Sequence, residues 1–236
     1  MTNISVIITS LNSGTLPKCL GALEKNTDDI YELIIVADEP TKEHWRILRR
    51  WADRGASLVV NCARVGSEVA TNQGIAVSRG DLIVFLASDC YVTKGWLSPM
   101  VAALDKHPEF GWVAAQGEEH GIPVPFSASC SLFTRDLFKK IGMFDEAFTP
   151  GYGFSDDDFY HRAMKEGFRP HGIKESWVNH PHPSSTAGPA TDHPEGWIRN
   201  QKLLFQRHGV VGTHWNEIPV YSVSSGSVDI KFGGAR

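Results

Sequence analysis

The sequence has no hydrophobic run long enough to cross a bilayer, and its first residues lack the order of basic, apolar and small residues typical of a signal peptide. It has only four cysteines, which are scattered and form no C-x-x-C pair. They are Cys19, Cys62, Cys90 and Cys130. We interpret them as reduced thiols of the core or of loops, and therefore expect a cytoplasmic protein without a transmembrane segment.

A large excess of charge of one sign is also absent. The formal net charge is -4, from 23 basic and 27 acidic residues, so we expect neither a nucleic-acid partner nor strong attraction to a membrane surface. The hydrophobic fraction of 42% and the charged fraction of 21% are those of an ordinary globular protein. A chain of 236 residues fits one domain with a substantial core.

The N-terminal half alternates apolar, β-branched runs with helical segments. The predicted strands are Ile4–Thr9, Glu32–Ala37, Ser57–Val60 and Asp81–Leu86. The helices between them begin at Thr15, Thr41 and Ser67, each interpreted as an opening or capping residue, and end near Asn26, Gly55 and Gly80. Alternation of this kind predicts a parallel sheet between two helical layers, with a ligand crevice at the carboxyl ends of the strands.

The C-terminal half is less regular. After a helix over 95–107, strands are predicted over 111–116, 128–134 and 175–179, and helices over 135–141, 155–166 and 194–208. Residues 142–154 are rich in glycine and aromatic residues, as in an irregular binding loop. No element is predicted after Trp215, and no repeat or linker divides the chain.

The first candidate site follows the fourth predicted strand, at Ser88-Asp89-Cys90. An aspartate at the end of a strand often only forms a turn. The functional alternative is a carboxylate at the mouth of the crevice, where it would hold a divalent metal on a diphosphate.

The second candidate is the acidic run Asp156-Asp157-Asp158, which follows Ser155 at the start of a predicted helix. A serine cap followed by acidic residues is favourable helix-terminus chemistry. One acid would suffice for that purpose, however, and three neighbouring carboxylates repel one another. A carboxylate behind the loop that contains Tyr152 and Gly153 could instead accept the proton of an attacking hydroxyl.

The third candidate is the segment Trp177-Val178-Asn179-His180-Pro181-His182. A single histidine is usually solvated or hydrogen-bonded. His180 and His182 alternate at the end of an extended segment and therefore project to one side, so that one of them is a candidate metal ligand.

From Ile4 to about Ser185 the chain resembles the inverting family 2 glycosyltransferases of the GT-A fold. The likeness lies in SVIITSLN, ELIIVADEP, ATNQGIAVSRGDLIVFLASDC, SLFTRDLFKKIGMFDEAF and FSDDDFYHRAMKEGF, in this order. The segment GYGFSDDDFYHR also resembles, locally, the acceptor loop of the β-1,4-galactosyltransferases. The resemblance implies a single-domain, three-layer α/β GT-A fold with a mixed central sheet. Residues 1–90 would form a Rossmann-like half that binds the nucleotide sugar, 91–212 the acceptor-binding and catalytic half, and 213–236 a C-terminal tail.

The resemblance also implies roles for individual residues. Asp156 would be the catalytic base, and Asp89 and His180 the ligands of Mn²⁺ (or Mg²⁺). The acceptor would contact Asp157, Tyr152 and Gly153. The donor-binding residues would be Thr9, Ser10, Asn12, Asp38, Asn72, Ser88 and Asp89. Among these, we expect Asp38 to lie on a crevice loop outside the core.

Two positions depart from the family pattern. The first acid of its D-x-D motif is Ala87 here, and the arginine that usually precedes Asn72 is Thr71. Arg64 is a candidate for the missing cation. The predicted function is inverting, metal-dependent transfer of a sugar from a nucleoside-diphosphate sugar, with UDP favoured, to a hydroxyl of a carbohydrate or glycoconjugate. The alternatives are a sugar-phosphate nucleotidyltransferase and a catalytically inactive carbohydrate-binding relative.

Overall fold

The computed structural model describes residues 3–12, 14–29, 31–119, 122–149, 153–181, 194–213 and 215–229. Within them, eleven strands form one sheet, in the order β11-β10-β9-β6-β8-β4-β1-β2-β3, with β5 paired to β9 and β7 paired to β6. The strands are β1 (Ile4–Ser10), β2 (Tyr31–Asp38), β3 (Ser57–Asn61), β4 (Leu82–Leu86), β5 (Tyr91–Val92), β6 (Trp112–Glu119), β7 (Ile122–Val124), β8 (Cys130–Thr134), β9 (His171–His180), β10 (Val220–Ser222) and β11 (Ser227–Asp229). The helices are α1 (Leu16–Asn26), α2 (Lys42–Ala52), α3 (Ser67–Val77), α4 (Leu97–Lys106), α5 (Arg135–Ile141), α6 (Ser155–Lys165) and α7 (Pro194–His208).

The predicted parallel half is confirmed. Strands β3, β2, β1 and β4 are neighbours and run parallel, because a helix crosses over between each consecutive pair. Their carboxyl ends therefore meet at one edge, which brings the segments after Ser10, Asp38 and Leu86 together.

The other half makes the sheet mixed, as expected. Strand β8 is antiparallel to both β4 and β6, whereas β9 runs parallel to β6, with a shift in register between Ala115 and Gln116. The short strand β5 lies antiparallel against the end of β9 and pairs Tyr91 with Asn179. This pairing brings the segment after β4 to the end of β9.

Two hydrophobic clusters lie on opposite faces of the sheet, which gives the three predicted layers. One cluster packs α1, α2 and α4 against the sheet through residues such as Leu20, Leu48 and Met100. The other packs α3, α5 and α6 through residues such as Ile75 and Phe159.

The structure corrects two predicted helix caps. Gly66 and Phe154 occupy the N-cap positions of α3 and α6, so Ser67 and Ser155 are the first helical residues. Phe154 has a φ of 71°, in the left-handed region. Its ring is buried with Phe148 and Leu204, and this packing offsets the backbone strain.

The C-terminal segment contributes two strands where sequence patterns indicate none. Strand β10 pairs parallel with β9, and β11 pairs antiparallel with β10. Each has only three residues, too few for a pattern with period two to stand out. Of the helices in the described part of the chain, none has the length and apolar character that a bilayer span requires.

Candidate active site

The loop after β1 is tied to its neighbours by side chains that the sequence assigns to the donor. The Ser10 hydroxyl lies 3.1 Å from Nε2 of His44, a buried residue of α2. Asn12 has a φ of 49° and bridges two loops, since its amide donates to the Glu39 carbonyl and its oxygen accepts from the Thr41 N–H, both at 2.8 Å. Ser10 and Asn12 therefore shape the edge of the sheet whatever else they bind.

Asp38 ends β2 and is buried, with 5% of its surface exposed, so the expectation that it lies outside the core is wrong. Its Oδ2 accepts hydrogen bonds from the N–H groups of Val65 and Gly66, at 3.0 and 3.2 Å. Its Oδ1 accepts from the Asn61 amide at 2.8 Å. The carboxylate thus holds the loop that leads into α3.

Asn72, on α3, uses its side-chain amide in a similar way. Its Nδ2 donates to the Phe144 carbonyl and to the Glu146 carboxylate, and its Oδ1 accepts from the Phe144 N–H. These contacts fasten the loop after α5 to α3. Arg64, the candidate replacement cation, is exposed in the loop before α3.

Asp89 and His180 meet at the pairing of β5 with β9. Nε2 of His180 lies 3.3 Å from Oδ1 of Asp89, and their side chains are 13% and 11% exposed. The turn that presents Asp89 is closed by a hydrogen bond from the Cys90 N–H to the Ala87 carbonyl at 3.0 Å. Thr15, before α1, donates to the Ser88 carbonyl at 2.8 Å and so fixes the turn from the other side.

The Cys90 thiol joins this pair. One ligand atom each of Asp89, Cys90 and His180 lie within 4.8 Å of one another. Bonds of about 2.0–2.3 Å from a metal to N, O or S atoms would separate two ligands of one ion by no more than about 4.6 Å. The three residues are therefore close enough to be candidate ligands of a single divalent ion, around which their side chains would draw together. The sequence pattern does not mark Cys90 as a metal ligand, because a cysteine after a buried strand has the pattern of a core residue.

Asp156 lies in the first turn of α6, and the pKa of its carboxyl group is higher than that of an ordinary aspartate. Burial raises the pKa of its carboxyl group to about 7, and the nearby carboxylates of Asp157 and Glu68 act in the same direction. A carboxylate with a pKa near neutrality can take up a proton at physiological pH, which an ordinary aspartate does poorly. This is the protonation behaviour that a general base requires.

A cavity of about 230 Å³ lies beside Asp156, between α3, α6 and the sheet. Its walls combine aromatic rings with a few polar side chains. The lining residues are Ser67, Glu68, Thr71, Phe85, Trp112, Ala128, Ser129, Phe133, Phe144, Gly153, Ser155 and Asp156. Gly153 has a φ of 76°, and a Cβ atom there would lie 3.0 Å from the Trp197 ring, so the wall requires glycine at this position.

The other two acids of the run serve different partners. The Asp157 carboxylate accepts a hydrogen bond from the Thr213 N–H, which ties α6 to the segment after α7. Asp158, 1% exposed, is surrounded by Arg162 at 2.8 Å, His208 at 2.9 Å and Arg207 at 3.4 Å. Burial opposes ionisation, but the hydrogen bonds from His208 and Arg162 outweigh it and lower the pKa of Asp158.

Asp158→Asn is therefore expected to destabilise the fold, because it removes the buried anion that Arg162 and His208 contact. The free energy of unfolding should fall by about 1.5–3 kcal/mol, measured by urea denaturation at pH 7. The pKa of Asp158 is lower in the folded protein than in the unfolded chain. Its contribution to the free energy of unfolding is therefore present at neutral pH and is lost as the pH falls through about 4 and below. Asp136→Asn, at an exposed ion pair with Lys139, is the control and should match the wild type. Equal stability of the two variants would contradict the role of Asp158.

Sequence comparison now identifies the chain. The model of glycosyl transferase family 2 matches residues 5–168, which run from the second residue of β1 past the end of α6. The chain belongs to glycosyl transferase family 2. Membership of this family favours glycosyl transfer over the nucleotidyltransferase alternative.

A relative of the chain agrees with the family assignment. The chain is 29% identical over 116 residues to the putative polypeptide N-acetylgalactosaminyltransferase 13 of Drosophila melanogaster, a match that covers 43% of this chain and 21% of the relative. The chain thus spans about a fifth of that protein.

Two solved structures share the GT-A architecture. TarS 1-349 of S. aureus in complex with UDP-GlcNAc superposes with a TM-score of 0.69 at 19% identity, over 86% of this chain and 65% of that one. The mannosyltransferase PcManGT of Pyrobaculum calidifontis, in complex with GDP-Man and Mn²⁺, gives a TM-score of 0.61 at 17% identity, over 77% of this chain and 57% of that one.

The glycosyltransferase fold thus brings together some of the predicted site residues. Asp89 meets His180, and Asp156 shares a cavity with Gly153. Tyr152 and His182 lie outside the described residues. Like Cys90, Glu68 was not predicted as a site residue, because it has the pattern of an ordinary acid in the first turn of a helix.

Proposed function

We propose that this protein is an inverting glycosyltransferase that transfers a sugar from a nucleoside-diphosphate sugar to a hydroxyl of a carbohydrate or glycoconjugate acceptor. The observation that carries the proposal is the 3.3 Å contact between Asp89 and His180, at the edge where β1, β2 and β4 end. This edge is the usual place of a nucleotide crevice in such sheets.

Asp89 and His180, with Cys90 beside them, would hold the divalent ion. When bound, such an ion offsets the negative charge of a diphosphate leaving group. Oxygen and nitrogen ligands suit Mn²⁺ or Mg²⁺, with Mn²⁺ slightly favoured, whereas a thiolate favours softer ions. A metal screen should therefore include Zn²⁺ and Co²⁺. The Mn²⁺ in the PcManGT complex supports a cation requirement in this fold.

Asp156 would serve as the base. It would accept the proton of the acceptor hydroxyl while the oxygen forms a bond to the anomeric carbon and the bond from that carbon to the diphosphate breaks. A single displacement of this kind inverts the configuration. The raised pKa of Asp156 supports the assignment, since the proton that it accepts would be held at neutral pH.

UDP is the favoured nucleotide. The local likeness of GYGFSDDDFYHR to a galactosyltransferase acceptor loop and the UDP-GlcNAc complex of TarS support it. GDP is the alternative to include, because PcManGT binds GDP-Man.

A screen of UDP- and GDP-sugars, with and without Mn²⁺, tests the proposal. A donor should raise the thermal unfolding midpoint, and its hydrolysis or transfer should release nucleoside diphosphate rather than pyrophosphate. Absence of both effects across the panel would overturn the proposed donor class. It would also favour the remaining alternative, a catalytically inactive carbohydrate-binding relative.

Asp38→Ala is expected to weaken nucleoside diphosphate binding by roughly tenfold or more, measured by calorimetry with UDP and GDP. It should also lower the free energy of unfolding by about 1–3 kcal/mol, because the buried N–H groups of Val65 and Gly66 lose their acceptor. Asn61→Ala is the control, since it removes one partner of Asp38 and keeps the carboxylate. Unchanged nucleotide affinity in a folded Asp38→Ala protein would exclude Asp38 from the donor site.

A further inference from the structure

Two polar atoms beside the cavity have no hydrogen-bond partner within the described part of the chain. They are Oε2 of Glu68 and the indole Nε1 of Trp112. Both residues line the cavity next to Asp156, and they are only 4% and 1% exposed. Buried polar atoms are nearly always paired, because an atom without a partner has lost its hydrogen bonds to water and gained none in return.

The two atoms are chemically complementary. An ionised carboxylate only accepts hydrogen bonds, and an indole N–H only donates. A hydroxyl group can donate to the first and accept from the second. The walls around them are rings, from Phe85, Phe133 and Phe144, which suit the apolar faces of a sugar better than a phosphate.

The size of the cavity limits the occupant. At about 230 Å³ it lies below the range of 300–1,000 Å³ typical of pockets for drug-sized ligands. It has room for one ring rather than for a whole nucleotide. Its position beside Asp156 places that ring next to the reacting groups of the proposed mechanism.

We propose that Glu68 and Trp112 bind hydroxyl groups of a sugar ring in this cavity, Glu68 accepting a hydrogen bond from one hydroxyl and the Trp112 indole donating a hydrogen bond to a hydroxyl oxygen. The inference rests on the proposed function and adds two substrate-positioning residues to it. The ring belongs either to the donor or to the acceptor, and the chemistry of recognition is the same for both.

Calorimetry in the presence of Mn²⁺ tests whether the cavity holds the sugar of the donor; this is the donor arm of the experiment. Wild-type protein, Glu68→Gln and Trp112→Phe are titrated with UDP, UDP-GlcNAc, GDP and GDP-mannose. If the donor's sugar occupies the cavity, both variants lose at least about tenfold in affinity for the sugar nucleotide while the affinity for UDP or GDP stays within twofold.

The acceptor arm uses the methyl glycosides of glucose, galactose, N-acetylglucosamine and mannose, with binding followed by saturation-transfer NMR in the presence of UDP. If the acceptor occupies the cavity, both variants lose this binding and retain the wild-type donor affinities. The exposed residue Glu43 provides the matched control, Glu43→Gln, which should change neither arm.

Thermal unfolding of the ligand-free protein separates positioning from a structural role. Because Glu68→Gln keeps the size of the side chain, and Oε2 has no partner to lose in the described part of the chain, its midpoint should equal or exceed that of the wild type. A fall in the unfolding midpoint of Glu68→Gln, or unchanged binding of both sugar nucleotides and glycosides by the variants, would overturn the inference. Failure of the wild-type protein to bind any of the nucleotides would instead count against the proposed function, and the glycoside arm would still test the cavity.

Discussion

Asp156→Asn should reduce turnover by roughly 10²–10⁴-fold while donor affinity barely changes. Asparagine keeps the size of the side chain and can still accept the hydrogen bond from the Asp157 N–H, but it cannot take up a proton. Release of nucleoside diphosphate under saturating donor and acceptor measures the effect. Calorimetry with the donor checks that binding is intact.

The pH profile gives an independent readout of the same residue. Because burial raises the pKa of Asp156 to about 7, its basic form is lost as the pH falls below about 7, and wild-type turnover should fall with it. The residual activity of Asp156→Asn should not show this fall at low pH. Asp158→Asn is the internal control, since that variant is expected to lose stability rather than the base. Equal losses of turnover from the two folded variants would contradict this division of roles.

His180→Ala should abolish metal-stimulated activity and weaken Mn²⁺ binding in the presence of UDP. With Ala87 in place of the first acid of D-x-D, Asp89 alone offers too few protein ligands for an ion that prefers about six. The diphosphate supplies some of the rest, so the ion should bind well only with nucleotide present. Electron paramagnetic resonance of free Mn²⁺ measures binding without reference to turnover.

His182→Ala is the matched control for the metal and should be tolerated. A structure with nucleotide and Mn²⁺ should show a His180 nitrogen at roughly 2.0–2.3 Å from the ion. Full activity in EDTA would contradict a metal requirement, and retention of Mn²⁺ binding in His180→Ala would contradict the role of His180 as a ligand. Cys90→Ser adds a further comparison, because loss of a thiolate ligand should shift preference from Zn²⁺ and Co²⁺ towards Mn²⁺ and Mg²⁺.

Local patterns determined much of the fold. The buried runs of β1, β2 and β4 and the helices between them follow from continuous apolar strands and helix-opening residues, which act over a few neighbouring positions. Helix α5 begins and ends as predicted, because Thr134 caps it and Gly142 follows it with a φ of 79°. The order of the family motifs added the expectation that Asp89 and His180 act together.

Only the tertiary structure decided which of these residues meet. The acidic run illustrates this, because its members are consecutive in sequence and yet differ in environment. Asp156 faces the cavity, Asp157 binds the Thr213 backbone, and Asp158 lies among the cationic side chains of α6 and α7. Sequence patterns record which face of a helix a residue occupies, but not what the rest of the chain places against that face.

The same limit applies to Glu68, Trp112 and Cys90. Each has the pattern of an ordinary helix-terminus acid, strand residue or core thiol, and each gains its significance from segments distant in sequence. The sequence by itself therefore determined the family and the parallel half of the sheet. The pairing of β5 with β9, the packing of α6 against α7 and the cavity between α6 and α3 decided the environment of each group, because burial and nearby charge depend on contacts between distant segments.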